Sequence, residues 1–284
     1  MTRKLTLFLA FSLLLGAAGP LAAGDIRFEL GFGWTLVGPT MNSSYANSYK
    51  PPFTPADRYI DSSAAQTLRF KPKTTYGMNG YFNVLFTENV GIQLLADYHR
   101  PHFGGSNPAY DVNMQFQAFE PESYTFTVDG PSPNGNLTVT TFSLNALARF
   151  RLTDTLSLSL SAGPSVFHFE GKAGYIDYTY GSLALVGDQY ELSADTFHMV
   201  ADFGPETKYG VNAGVEAAYE AFRHVILAFD LRYYGSARKD LPLHIVPDDV
   251  ITVPLDEIEA AIGLGSLRVN PSFFRAGLAI RFVF

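Results

Sequence analysis

There is no cysteine in the 284 residues, and charged side chains make up only 17% of them. Without thiols the chain has no disulfide framework, no thiolate metal site and no cysteine nucleophile. Scarce charge beside 14% aromatic residues, with 24 Phe and 16 Tyr, excludes an intrinsically disordered chain, which is polar and aromatic-poor. Basic residues are the minority, 20 Lys and Arg against 27 Asp and Glu, for a net charge of −7. That balance excludes a nucleic-acid partner, because neutralising phosphates takes a basic footprint. Also missing is any run of the roughly 18–20 consecutive apolar residues that a transmembrane helix takes.

What is present begins with a three-part leader. Arg3 and Lys4 form a basic start, residues 5–15 are apolar except for Thr6 and Ser12, and residues 16–24 are rich in small side chains. This is the pattern of a secretory signal peptide over 1–24, cleaved near Ala23 or Gly24. The apolar run is too short for an anchor and no Cys follows it for lipidation. The mature domain, 25–284, then carries 18 basic and 27 acidic residues, a net charge of −9. An exported chain of this kind is either soluble or crosses a membrane as strands.

Period-two alternation decides between the two. In 273–284 the even positions are Phe274, Ala276, Leu278, Ile280, Phe282 and Phe284, while Arg275 and Arg281 fall on the odd face. Such a strand has faces that see different surroundings. The same reading holds for 26–36, 76–86, 90–98, 141–152, 156–163, 209–220 and 225–233, each with one uncharged apolar face. Three connections are tight (87–89, 153–155 and 221–224), whereas 39–75, 102–136, 170–207 and 236–271 are long. Tyr76, Tyr98, Tyr209, Tyr233 and Phe274, with Phe28, Phe150, Tyr219 and Phe284, lie near strand ends on the apolar face. Apolar-out strands, aromatic ends, short turns at one rim and long loops at the other predict an all-β, transmembrane, antiparallel up-and-down barrel. A soluble sandwich would concentrate its aromatics inward. Closure makes the barrel viable, since an open edge in lipid leaves backbone groups unpaired.

Eight strands are expected. Residues 112–118 with 124–128, and 175–180 with 189–193, also alternate and would raise the number to ten or twelve. A tilted strand needs about 9–11 residues to span the bilayer, and 124–128 is too short, so these read as hairpins above the membrane.

The leader, the alternating strands, the turns Phe86-Thr87-Glu88-Asn89-Val90 and Leu152-Thr153-Asp154-Thr155-Leu156, and the closing strand Arg275–Phe284 resemble the small bacterial outer-membrane β-barrel superfamily, that is, the OmpA-type transmembrane domain and OmpW-like proteins. The resemblance implies the outer membrane of a Gram-negative cell, and a terminal Phe284 that serves as the signal for barrel-assembly machinery. It covers nearly all of the mature chain and is specific for architecture, because this superfamily hosts anchors, adhesins, small channels and a few enzymes. OmpA carries a periplasmic domain beyond its barrel; this chain ends on the closing strand, so that role does not carry over.

Within the barrel, parity directs Arg27, Arg149, Arg151, Arg232, Arg275 and Arg281 inward together with Glu29, Asp97, Glu216, Glu220 and Asp230. Eight strands leave an interior just wide enough for side chains to fill, so these charges are expected to pair into a plug. The alternative is a narrow passive channel for small or hydrophobic solutes. Other chemistry is thin. His99 and His102 with Ser106 are the nearest approach to the Ser–His pair of outer-membrane lipid hydrolases, and no acid is placed to orient them. Gly263-Leu-Gly265 lacks a dinucleotide fingerprint, Gly163-Pro-Ser165 is no nucleophile elbow, and the six His are too scattered for a metal. No catalytic, cofactor or metal set is expected.

The long connections are charged differently: +3 in 39–75, −4 in 102–136, −6 in 170–207 and −3 in 236–271. The last contains a short helical pattern at 254–264 with acids at its start, favoured by the helix dipole. The expectation is a monomeric, non-enzymatic barrel that presents its loops for surface binding, adhesion or envelope maintenance. Its partners would be outer-membrane lipid and lipopolysaccharide, and an extracellular ligand that the sequence does not identify.

Overall fold

The computed structural model describes residues 26–38, 43–49, 53–54, 60–106, 109–116, 123–128, 134–186, 189–246, 254–261, 264–269 and 272–284; the leader expected at 1–24 lies outside them. In chain order the elements are β1 (Arg27–Val37), β2 (Ser43–Tyr49), β3 (Phe53–Thr54), β4 (Ile60–Pro72), β5 (Thr75–Leu85), β6 (Val90–His99), β7 (His102–Ser106), β8 (Tyr110–Phe116) and β9 (Ser123–Val128). There follow β10 (Asn134–Arg151), β11 (Leu156–Val186), β12 (Gln189–Phe222), β13 (Val225–Ser236), β14 (Lys239–Pro242), β15 (His244–Ile245), α1 (Leu255–Ala261), β16 (Ser266–Val269) and β17 (Phe273–Val283).

Eight of these strands close a ring in which every pairing is antiparallel. The order is β1, β5, β6, β10, β11, β12, β13 and β17, and β17 returns to β1 with Trp34 opposite Leu278 and Phe32 opposite Ile280. They are the eight strands expected from the alternation. Outward faces carry Phe32, Trp34, Met78, Leu94, Phe142, Leu144, Leu160, Leu227, Leu231 and Leu278, all exposed, while the alternate positions are buried. A wall of exposed apolar side chains on a closed sheet has one compatible solvent, the hydrocarbon of a bilayer. No described helix is long and apolar enough to cross a membrane; the crossing is made by strands.

Tyr76, Tyr98, Tyr209, Tyr233 and Phe274 ring one edge of the apolar wall, with Tyr233 and Phe274 in ring contact at 4.6 Å. Phe28, Phe150, Tyr219, Phe222, Phe282 and Phe284 ring the other. At that second edge the turns are short for a local reason. The Thr87 hydroxyl accepts the amides of Asn89 and Val90 at 3.2 and 3.0 Å, and Thr153 does the same for Thr155 and Leu156 at 3.3 and 3.0 Å. Each threonine closes its turn by mimicking a backbone acceptor. The third turn places His224 in the left-handed region at φ 71°.

Above the aromatic edge the long connections are more structured than the loops expected there. The hairpin of β8 and β9 and the extended β11–β12 hairpin project from the membrane, as their lengths required. At about 3.3 Å per residue the 31 residues of β11 span about 100 Å, several times a bilayer crossing. A second ring, not among the expected elements, stands above the first. Here β10 pairs with β11, β11 with β12 and β12 with β15; the chain itself, through Leu243, carries the ring from β15 to β14; then β14 pairs with β16, β16 with β2, β2 with β4, β4 with β7, and β7 returns to β10. Closure recurs outside lipid because this tier has an apolar interior of its own. Leu137 and Val139 of β10, Phe167 and Phe169 of β11, Met199, Ala201 and Phe203 of β12, and Leu241, Leu243, Ile245, Leu267 and Val269 of the last connection form one buried cluster. Helix α1, within the expected 254–264, adds Ile258, and its Glu259 carboxylate accepts the Ile245 amide at 2.7 Å.

The assignment of faces has a direct consequence. Leu227→Arg or Leu278→Arg puts a charge into hydrocarbon and should cost about 2–4 kcal/mol near the bilayer midplane. Unfolding titrations of the barrel in lipid vesicles measure this, and wild-type stability in both variants would mean that the outer wall does not face lipid.

Candidate functional site

The lumen holds most of the charge that parity directed inward, sorted into two layers. Nearer the short turns, Glu29 is fully buried and accepts both ends of the Arg149 guanidinium, each at 2.7 Å. Asn83 donates to the same carboxylate at 3.0 Å, and Arg281 lies 3.4 Å from it while donating to Glu216 at 2.6 Å. Two carboxylates and two guanidiniums make this layer neutral. In the second layer Arg275 bridges Asp97 at 2.8 Å and Asp230, which in turn faces Arg232 at 3.5 Å. This layer too has two charges of each sign. Neutrality within each layer is what allows eight ionised groups to sit in a narrow bore, because an unpaired charge there would carry its full desolvation cost.

Amides and hydroxyls fill the space around the second layer. Arg232 donates to Ser161 at 2.7 Å, to Gln93 at 3.2 Å and to Asn212. Asn212 donates to Asn145 at 2.7 Å and to Ser165 at 2.9 Å, and Asn145 donates to Gln93 at 3.0 Å. Two glycines make room. A Cβ on Gly31 would fall 2.2 Å from the Tyr81 ring, and one on Gly214 would fall 2.8 Å from the Arg232 guanidinium carbon.

An aromatic layer then covers the charges. Tyr234 donates to Asp97 and stacks on Phe273 at 4.6 Å, with Phe167 edge-on to both at 6.0 and 6.4 Å. His99 packs against Phe273 at 4.6 Å. Beyond lies the apolar tier. The bore is thus crossed in turn by charge, by amide, by aromatic and by aliphatic layers.

Three of the eleven charges lie toward the rim rather than within the buried layers, although Arg27 still reaches the first of them. Arg27 is partly exposed, 3.2 Å from Glu29, while Arg151 and Glu220 are exposed at the mouth on the short-turn side. There they line, with Glu88 and Asp154, a cavity of about 70 Å³. Parity alone told inward from outward, and depth separated the rim from the buried layers. The groups that alternation did not single out are Tyr234, Phe273 and Phe167, because an inward aromatic on the polar face is indistinguishable by period from an outward one a residue away.

The structure separates the remaining candidates. His99 points into the lumen, whereas His102 and Ser106 are exposed on the far side of the wall. Ser165 is buried in the amide layer, 2.8 Å from Ser143. Gly263 lies outside the described residues. Among the described residues no three His, Asp or Glu side chains gather as metal ligands. Phe284 projects outward at the second aromatic edge, its amide donating to Phe28 at 2.9 Å.

Solved structures similar to this one are outer-membrane proteins. OprG from Pseudomonas aeruginosa is 10% identical with a TM-score of 0.45, over 93% of this chain and 98% of that one. The protease OmpT from Escherichia coli is 7% identical with a TM-score of 0.46, over 93% and 100%. Ail, the attachment invasion locus protein of Yersinia pestis, is 12% identical with a TM-score of 0.36, over 91% and 100%. No family model and no curated protein matches the chain. The assignment to a membrane barrel rests on the closed register and the apolar wall described above, and no residue role is taken from these proteins.

Breaking either neutral layer exposes its cost. Arg149→Ala or Arg281→Ala leaves a buried carboxylate unpaired and should destabilise the barrel by about 3–5 kcal/mol. Arg151→Ala, at the exposed rim, should stay within about 0.5 kcal/mol of wild type. Paired denaturant titrations distinguish the two, and equal effects would remove the layer assignment.

Proposed function

We propose that this protein is a monomeric, non-conducting outer-membrane barrel whose working part is its extracellular tier, held rigidly for contact with a surface ligand or an envelope component. The observation that carries the reading is the double closure of the bore. Two neutral charge layers cross its middle, and an apolar core fills the tier above. A solute path would have to pass both. Function is left to the outer face, where rigid scaffolds commonly carry their binding segments. In this reading Phe284 is the contact for barrel-assembly machinery, and no cofactor takes part.

Two measurements test it. In planar bilayers the purified protein should show negligible steady conductance, and so should Arg149→Ala, because the apolar tier still closes the bore. A large steady conductance in wild type favours a channel and overturns the reading. Orientation is read with single cysteines, for which the parent chain has no background. Thr125→Cys and Ser266→Cys should react with an impermeant maleimide on intact cells, and Thr87→Cys and Asp154→Cys only after the outer membrane is breached. The reverse pattern would turn the tier toward the periplasm.

A further inference from the structure

Among the described residues six arginines sit in ion pairs with carboxylates: Arg27, Arg149, Arg232, Arg275 and Arg281 with lumen acids, and Arg268 with Asp240 at 2.9 Å. Of the cations outside that set, four gather on one part of the outer wall. Arg69, Lys73, Arg100 and Lys172 are exposed and form no ion pair among the described residues. The strand ladders bring them together. The Lys73 amide donates to the His102 carbonyl at 3.1 Å, His102 pairs with Asn136 across β7 and β10, and Asn136 pairs with Lys172 across β10 and β11. Residues directly opposite in a ladder share a face, so Lys73, His102, Asn136 and Lys172 form one row across neighbouring strands about 4.8 Å apart. Arg69 stands on the same face of β4, opposite Ser106. Arg100 lies just below the row, its carbonyl accepting the Thr75 hydroxyl at 3.1 Å. Of the described acids of this wall, Glu170 and Asp202 lie at its β11–β12 end, with Asp202 opposite Lys172, and Asp111 stands on β8, beyond Arg69.

The depth of the row matters as much as its charge. Arg100 follows Tyr98 by two residues and Lys73 precedes Tyr76 by three; both tyrosines belong to the aromatic edge that marks the water-facing boundary of the hydrocarbon. Arg100 and Lys73 therefore stand at headgroup level with apolar wall directly beneath them, and Arg69 and Lys172 continue the patch outward along β4 and β11. Phosphate groups anchored by acyl chains occupy that level, and Arg and Lys are the side chains that hold phosphate.

We propose that the row formed by Arg69, Lys73, Arg100, His102 and Lys172 is a docking site for the phosphorylated headgroup of lipopolysaccharide in the outer leaflet, with its acyl chains lying on the apolar wall below Tyr76 and Tyr98. The site rests on the outward orientation proposed above, which the cysteine labelling decides independently. At this wall lipid phosphate is met by protein cations directly, with no bridging divalent ion required.

The test uses the full-length barrel in detergent, titrated with lipid A carrying both phosphates and with the same lipid dephosphorylated, bound lipid being counted by native mass spectrometry. Wild type should prefer the phosphorylated lipid by about tenfold or more, a preference that falls as salt rises because phosphate contacts are screened. The combined variant Arg69→Gln, Lys73→Gln, Arg100→Gln and Lys172→Gln should lose the preference. Lys73→Arg with Lys172→Arg, and Arg223→Gln on the short-turn side, should keep it. Should the fourfold variant fail to fold, the pairs Arg69→Gln with Lys73→Gln, and Arg100→Gln with Lys172→Gln, should each lower the preference severalfold. Equal wild-type binding of both lipids, or an unchanged preference in the folded glutamine variants, overturns the site. So does binding of a soluble sulfated glycan to these residues by a wild-type protein that ignores the lipid phosphates. If the tier is labelled from outside and the lipid preference is absent, only the docking site is lost and the barrel reading stands.

Discussion

A sheet in hydrocarbon cannot leave an edge open, and the closing ladder between β1 and β17 answers that constraint. Once the ring is closed at eight strands its width is set, and with it the volume available to inward side chains. The lumen is therefore a core, filled as a core must be, but by residues on the face that alternation makes polar. Every inward charge has to find its counter-charge within a space with little water. The bidentate grip of Arg149 on Glu29 and the bridge of Arg275 between Asp97 and Asp230 are how this chain meets that demand.

Grouping charges into small neutral sets also limits the reach of any one defect. A substitution in the layer around Glu29 leaves the layer around Asp230 intact, because each balances its own ions. Replacing such sets with apolar side chains is often neutral or stabilising in proteins generally, so the charge pairs here are no measure of net stability.

The membrane-spanning strands were legible in the sequence because lipid enforces one rule along their whole length, apolar outward and otherwise inward. In β10, Phe142 and Leu144 obey it, and Leu158 and Leu160 do so in β11. A few residues further from the short turns the rule inverts: Leu137 and Val139, then Phe167 and Phe169, turn their apolar side chains inward. Water now lies outside the ring, so the period of two persists while its polarity switches. Reading the alternation for a lipid-facing side alone marks these stretches as loops, and the second ring was missed for that reason. The lumen residues were legible as a set through parity. Their partnerships were not, since Glu29 and Arg149 are 120 positions apart and only the order of strands around the ring brings them together. The demotion of Arg27, Arg151 and Glu220 to the rim was equally hidden, because period reports side and not depth.

The β11–β12 hairpin runs without interruption from the short-turn side of the barrel to its outer tip at Val186 and Gln189, its ladder shifted in register only near Gly171 and Gly174. A two-stranded ribbon rooted in a closed wall behaves as a cantilever. Force applied lengthwise at its tip loads many ladder hydrogen bonds in parallel, which resists rupture, whereas force applied sideways concentrates bending where the register slips. The first irregularity lies within the upper ring, where β10 still flanks β11, and the second, between Gly174 and Ile176, lies just past it, so sideways deflection is taken up at the second as a swing of the outer arm. The embedded wall beneath keeps its shape under either load. The protein thereby has a stiff mast with one compliant joint, set by where a register shift interrupts the ladder just beyond the reach of β10.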